Sequence, residues 1–213
     1  MRIDIWSDLV CPWCYVGKRR FERALETFEH RDDVQIAHRS FQLDPTSPPG
    51  QTHPRRQVLM KKYGWSEAQA QQMDERMIQT AAAEGLEFRL TGGVTGNTFN
   101  AHRVVHLAGD HGSQNAVVER LYRAHFTEQR SIFDEESLAA LAAEAGLDGD
   151  EVRYVLSTDL YADAVIKDGE AARKLGASGV PFFVLDDRYG ISGAQSPEVF
   201  TETLTKAWAF ANA

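Results

Sequence analysis

Residues 9–17, LVCPWCYVG, decide how this chain is read. They hold Cys11 and Cys14, the two cysteines of a 213-residue sequence. Two cysteines three apart, with no third, can be half of a metal clamp, a short structural staple or a redox couple. Upstream, Arg2–Ser7 (RIDIWS) places Ile3 and Ile5 on one side of an alternating pattern, as a short strand does. Downstream the period becomes helical. Phe21, Ala24, Leu25 and Phe28 fall at i, i+3, i+4 and i+7, while Lys18, Arg19, Arg20, Glu22 and Arg23 are expected to face water. Residues 34–41 (VQIAHRSF) read as the next strand, so the cysteines sit at the first strand-to-helix junction of a β-α-β unit.

After LDPTSPPGQTHP, a loop rich in Pro, Thr, Ser and Gly, the chain turns helical for about a hundred residues. Ser66 with Gln69 predicts a capping box for a helix over 67–84, stopped at Gly85. Further helices are expected over 99–108, 114–129, 135–145 and 151–156, with Ser113 and Asp134 as caps; RLTGGVTGNT reads as a loop among them. The last part of the chain reads as a helix over 160–175, a strand at Phe182–Leu185, a second strand in YGISG, and a helix capped by Ser196 with Pro197 at its first position. The order is β-α-β, a helical block, then α-β-β-α. Neither flank alone has enough elements to bury a sheet, so the block reads as an insertion in a discontinuous α/β domain. The expected division is 1–50 and 158–213 for the sheet domain and 51–157 for the helical insertion.

Composition narrows the function. With 43% apolar residues the chain can build a substantial core, and a net charge of −8 argues against nucleic acid or anionic lipid as partners. No stretch approaches the roughly 20 apolar residues that span a bilayer. The start, MRIDIWSDLV, carries Asp4 and Asp8 and no apolar run of signal length, which reads as cytoplasmic. Thiols are kept reduced in that compartment, and a staple across so short a loop would stabilise little. A structural zinc wants four ligands, and no second cysteine pair is present. His102 and His106, four apart on an expected helix, come without an H-E-x-x-H pattern. No metal or cofactor is expected.

A redox pair remains, and local geometry says how it would work. With Cys11 as N-cap and Pro12 as the first helical residue, the Cys14 N–H is expected to point back at the Cys11 sulfur. The helix dipole favours negative charge there and should depress the Cys11 pKa. Cys11 is then the accessible nucleophile, and Cys14, one turn inward, resolves the mixed disulfide. Asp8 is either a proton acceptor or a solvated or capping carboxylate.

SDLVCPWCYVGKRRFERAL and GVPFFVL, together with NTFNAHR and ISGAQSPEVF, make the chain similar to the DsbA family of thioredoxin-fold oxidoreductases, and to its FrnE-like branch in particular. The resemblance implies an α/β, thioredoxin-like fold with a large all-helical insertion. It implies a cis Val180–Pro181 bond facing the cysteines, with the Val180 backbone pairing an extended substrate by β-augmentation. Trp13, within the dipeptide that tunes such couples, joins Val180 and Pro181 as an expected substrate contact. Asn97, Asn100 and His102, with their neighbour Arg103, either line the groove or pack and cap helices; Gln195 is either a groove contact or part of the last cap.

The expected function is a thiol–disulfide oxidoreductase acting on protein or small-molecule disulfides and thiols, with a separate redox partner. Hydroxychromene-carboxylate isomerases and kappa-class glutathione transferases resemble the same architecture but typically carry Ser at the first cysteine position. They set the alternative, an isomerase or transferase acting on an aromatic molecule through a low-molecular-weight thiol. A second alternative is a non-enzymatic, chaperone-like binding module.

Overall fold

The computed structural model describes residues 1–212, which divide into two compact units. The first comprises Met1–Leu43 and Val165–Ala213, the second Asp44–Ala164. The units meet at 43/44 and 164/165, seven residues from the divisions at 50/51 and 157/158 drawn from the sequence. On the first side, the Leu43 N–H is bound by the Asp8 carboxylate, 2.7 Å away, whereas the Ser47 carbonyl is bound by Asn97 of the helical unit. On the other side, the Tyr161 hydroxyl donates to Asp110 at 2.7 Å and the Leu160 carbonyl accepts from Arg103 at 2.8 Å, which keeps 158–161 with the helices.

The first unit is a four-stranded sheet in the order β2-β1-β5-β6, from β1 (Arg2–Ser7), β2 (Gln35–Ser40), β5 (Phe182–Leu185) and β6 (Tyr189–Ser192). β1 runs parallel to β2 and antiparallel to β5, and β5 and β6 form an antiparallel pair. Strand alternation sorts the two faces. Ile3, Ile5, Phe183, Leu185 and Ile191 meet Phe21, Ala24 and Phe28 of α1 (Pro12–Glu26) and Phe200, Leu204 and Ala207 of α9 (Pro197–Ala211). The Phe183 and Phe200 rings pack edge to face at 4.7 Å between centroids. On the opposite face Trp6, Phe182 and Val184 meet Ala172 of α8 (Ala162–Lys174). Lys18, expected in water, is 4% exposed on α1 and pairs with Glu22 at 2.5 Å. Burying an ammonium requires such a partner.

In the second unit, α3 (Glu67–Ala83) begins at the expected capping box, Ser66 N–H to Gln69 Oε1 at 2.8 Å and Gln69 N–H to Ser66 Oγ at 3.3 Å. Ser66→Ala should cost about 1 kcal/mol in urea denaturation. The helices α4 (Phe99–Asp110), α6 (Glu135–Glu144) and α7 (Gly149–Leu156) follow, with Asp134 and Asp148 accepting first-turn amides of the last two.

Three features depart from the sequence reading. α2 (Arg55–Tyr63) lies where no apolar stripe predicted a helix; Arg55 and Arg56 hold it to the buried Asp74 of α3 at 2.5 and 3.2 Å. β3 (Thr52–Pro54) and β4 (Val94–Gly96) pair antiparallel inside segments read as loops, too short to show a period. The helix expected over 114–129 is α5 (Gln114–Arg123) followed by a π turn, Ala124–Glu128, and left-handed Gln129. That widened turn serves the 87–91 segment: Arg89 donates to the Phe126 carbonyl, and Gln129 donates to the carbonyls of Arg89 and Thr91. No helix among the described residues is long and apolar enough to cross a membrane.

Candidate active site

β1 ends at Ser7, and the turn that follows hands the chain to α1 at Pro12. Cys11 is the N-cap in extended conformation, with Pro12 at the first helical position, where the missing N–H costs nothing. The Cys11 amide donates to the Asp8 carbonyl and the Cys14 amide to the Cys11 carbonyl, both at 3.0 Å. This corrects the expectation that the Cys14 N–H turns to the sulfur: the peptide carbonyl is the nearer, stronger acceptor, and the Cys11 side chain makes no cap bond. The sulfur instead lies 3.7 Å from the Val180 carbonyl oxygen, to which it donates.

Both thiols are free and buried, Cys11 at 5% and Cys14 at 2% exposure, so Cys11 is less accessible than its cap position suggests. The exposed member of the motif is Trp13, at 45%. Burial pushes the Cys14 thiol well above its ordinary range, and its hydrogen bond to Cys11 and the charge there act in the same direction; a backbone hydrogen bond from Asp8 pulls partly back. The first turn of α1 carries no acidic side chain, which leaves the positive end of the helix to the sulfur at its cap. Asp8 is not a solvated carboxylate: it is 1% exposed and accepts the Leu43 amide.

The Val180–Pro181 bond is cis, as the family resemblance implies. Val180 stands ahead of Phe182, the first residue of β5 in the β1 and β6 ladders. The Gly193 amide holds the Pro181 carbonyl at 2.8 Å, and Arg20 of α1 holds the Ala194 carbonyl at 2.7 Å. A thiol pair at a helix start, a cis proline beside it and a β-α-β…β-β-α sheet unit define one arrangement, and the model of the DSBA-like thioredoxin domain family matches residues 2–205. The chain belongs to that family.

Among solved structures of this kind, a probable DsbA oxidoreductase from Streptomyces coelicolor is 51% identical, covering 98% of this chain and 90% of its own, with a TM-score of 0.95. The Bacillus subtilis protein YwbO is 30% identical over 210 residues, 96% of each chain. The cytosolic disulfide reductase DsbM of Pseudomonas aeruginosa shares the fold at 19% identity, with a TM-score of 0.68 over 99% of this chain and 100% of its own.

The other expected contacts of this DsbA-family chain are placed differently. Gln195 lies in the turn after Gly193, exposed, with its amide folded back onto the Ser192 carbonyl at 2.8 Å. Ser196 occupies the N-cap of α9 but makes no cap bond; its hydroxyl bonds to Glu198 and, with the Glu198 backbone, holds that carboxyl below its usual range. Asn97, Asn100 and His102 belong to the helical unit. Asn97 donates to the Ser47 carbonyl at 2.6 Å and accepts the Phe99 amide at 2.8 Å, which starts α4. Asn100 accepts from Arg103 at 3.0 Å, and His102 is buried within α4. Lys18, one turn beyond Cys14 on the same helical face, is the buried charge that the sequence reading placed in water.

Proposed function

We propose that this protein is a thiol–disulfide oxidoreductase that works through Cys11 and Cys14. The observation that carries the reading is the Cys11 sulfur at the N-cap of α1, hydrogen-bonded to the Cys14 thiol on one side and 3.7 Å from the Val180 carbonyl on the other.

In the reductive direction the Cys11 thiolate attacks one sulfur of a substrate disulfide. The substrate S–S bond breaks, and its other sulfur leaves as a thiolate that takes a proton from solvent. Cys14 then gives up its proton and attacks the Cys11 sulfur of the mixed disulfide, releasing the second substrate thiol. The substrate gains two electrons, and Cys11–Cys14 becomes the disulfide; a second thiol or disulfide partner closes the cycle. The same steps reversed oxidise a dithiol. Burial holds the proton on Cys14, and Cys11, at the N-cap of α1, is placed to supply the first thiolate. Val180 and Pro181 position an extended substrate, and Trp13 offers it an exposed aromatic face. A cytosolic setting, where thiol reductants are abundant, suits this dithiol chemistry.

Two measurements test the reading. Iodoacetamide at neutral pH is expected to label Cys11 first, with Cys14 following only at higher pH. Equilibration in graded glutathione buffers, followed by Trp6 and Trp13 fluorescence, is expected to show one reversible two-electron transition. Sulfurs that never form an intramolecular disulfide would overturn it. Thiol-dependent turnover of an aromatic molecule that survives Cys14→Ala would point to the isomerase or transferase chemistry instead.

A further inference from the structure

α1 carries Gly17 one turn beyond Cys14, on the face that meets the Pro181 loop. A Cβ placed there would sit 2.8 Å from Pro181 Cγ and 3.4 Å from both Cα and Cβ of Ala194. Carbon atoms pack best at roughly 3.5–4.0 Å, so the contact with the ring allows no added atom. Neither side yields easily. The Pro181 ring cannot swing aside as a flexible chain would, its carbonyl is tied to the Gly193 amide, and Ala194 is tied to Arg20, also on α1. Behind Gly17, α1 is fixed to the sheet through Phe21, Ala24 and Phe28.

We infer that Gly17 is a positioning residue: the bare Cα lets the Pro181 loop rest directly on α1, and that seat sets the spacing between the Cys11 sulfur and the Val180 backbone. The inference rests on the oxidoreductase reading and adds to it the residue that fixes where a substrate strand lies relative to the nucleophile. A side chain at 17 lifts the loop, Val180 moves with it, and a strand paired to Val180 brings its sulfur to the wrong place. A displacement of about 1 Å can cost on the order of 100-fold in a positioned reaction. A small disulfide with no backbone to pair does not depend on that register.

The test compares a glutathionylated cysteine peptide with hydroxyethyl disulfide as substrates, under dithiothreitol turnover. For Gly17→Ala, KM for the peptide is expected to rise at least about tenfold while kcat/KM for hydroxyethyl disulfide does not fall by more than about twofold. In a Pro181→Ala background, which removes the clashing Cγ, Gly17→Ala is expected to add less than about twofold. Should Gly17→Ala fail to fold, Ala194→Val crowds the same gap from the loop side and is expected to raise the peptide KM in the same way. An unchanged peptide KM, an equal loss with both substrates, or a full additional loss in the Pro181→Ala background overturns the inference. Failure of the unaltered protein to turn over either disulfide overturns the oxidoreductase reading itself.

Discussion

Cys11→Ser is expected to lower disulfide turnover at least about 10³-fold, because it replaces the thiolate nucleophile with a hydroxyl that is far less acidic and a poor nucleophile toward sulfur. Cys14→Ser is expected to behave differently: attack by Cys11 still proceeds, resolution does not, and the substrate stays attached. Stopped-flow assays and intact-mass measurement separate the two. Cys11→Ser should show no adduct, and Cys14→Ser should accumulate one substrate per chain. The asymmetry follows from place, not residue type. Cys11 caps the positive end of α1, whereas burial and the neighbouring Cys11 hold Cys14 protonated. Turnover should therefore rise with pH until Cys14 ionises readily during resolution. If adducts form equally on either single variant, the assigned order of attack is wrong.

The second large effect lies in the helical unit. Arg103 of α4 is buried, and its guanidinium donates to the carbonyls of Val155, Thr158 and Leu160 and to Asn100. One side chain thus satisfies the end of α7 and the turn leading toward α8. Burial lowers the Arg103 pKa, against the pull of Asp159 and Glu135, yet a guanidinium remains charged throughout the ordinary pH range. Arg103→Ala takes the guanidinium from the Thr158 and Leu160 carbonyls and from Val155, whose carbonyl keeps the Thr158 amide and hydroxyl, and is expected to cost about 2–3 kcal/mol, read as a lower urea midpoint. Arg103→Lys should recover little, because a single ammonium cannot span three carbonyls in a fixed fork. A loss below about 1 kcal/mol would mean that this network contributes no more than an ordinary surface contact.

The elements flanking the cysteines were legible because local patterns and tertiary roles agree there. The alternation of β1 and the apolar stripe Phe21, Ala24, Phe28 face the core they predict, and Pro12 starts the helix where its chemistry permits. Ser66 with Gln69, and Asp134, cap the helices they announce. Legibility failed where long-range partners decide. α2 has no stripe and is held by Asp74, 18 and 19 residues away, and the π turn after α5 is shaped by backbone groups of the 87–91 segment. Lys18 is of a type expected at the surface but is buried, its ammonium paired with the half-buried Glu22.

By itself the sequence determined that the cysteine pair lies at a helix start and that the strands of the sheet are separated by a long helical block. Those conclusions depend on spacing and periodicity, which are local. Only the tertiary structure decided that the Cys14 amide serves a carbonyl and not the sulfur, that Cys11 is buried with Val180 beside it, and which acceptors and donors Asn97, Asn100 and Arg103 meet. Hydrogen-bond donors choose among all acceptors within reach, and which acceptors come within reach is fixed by residues as distant as 180 is from 11.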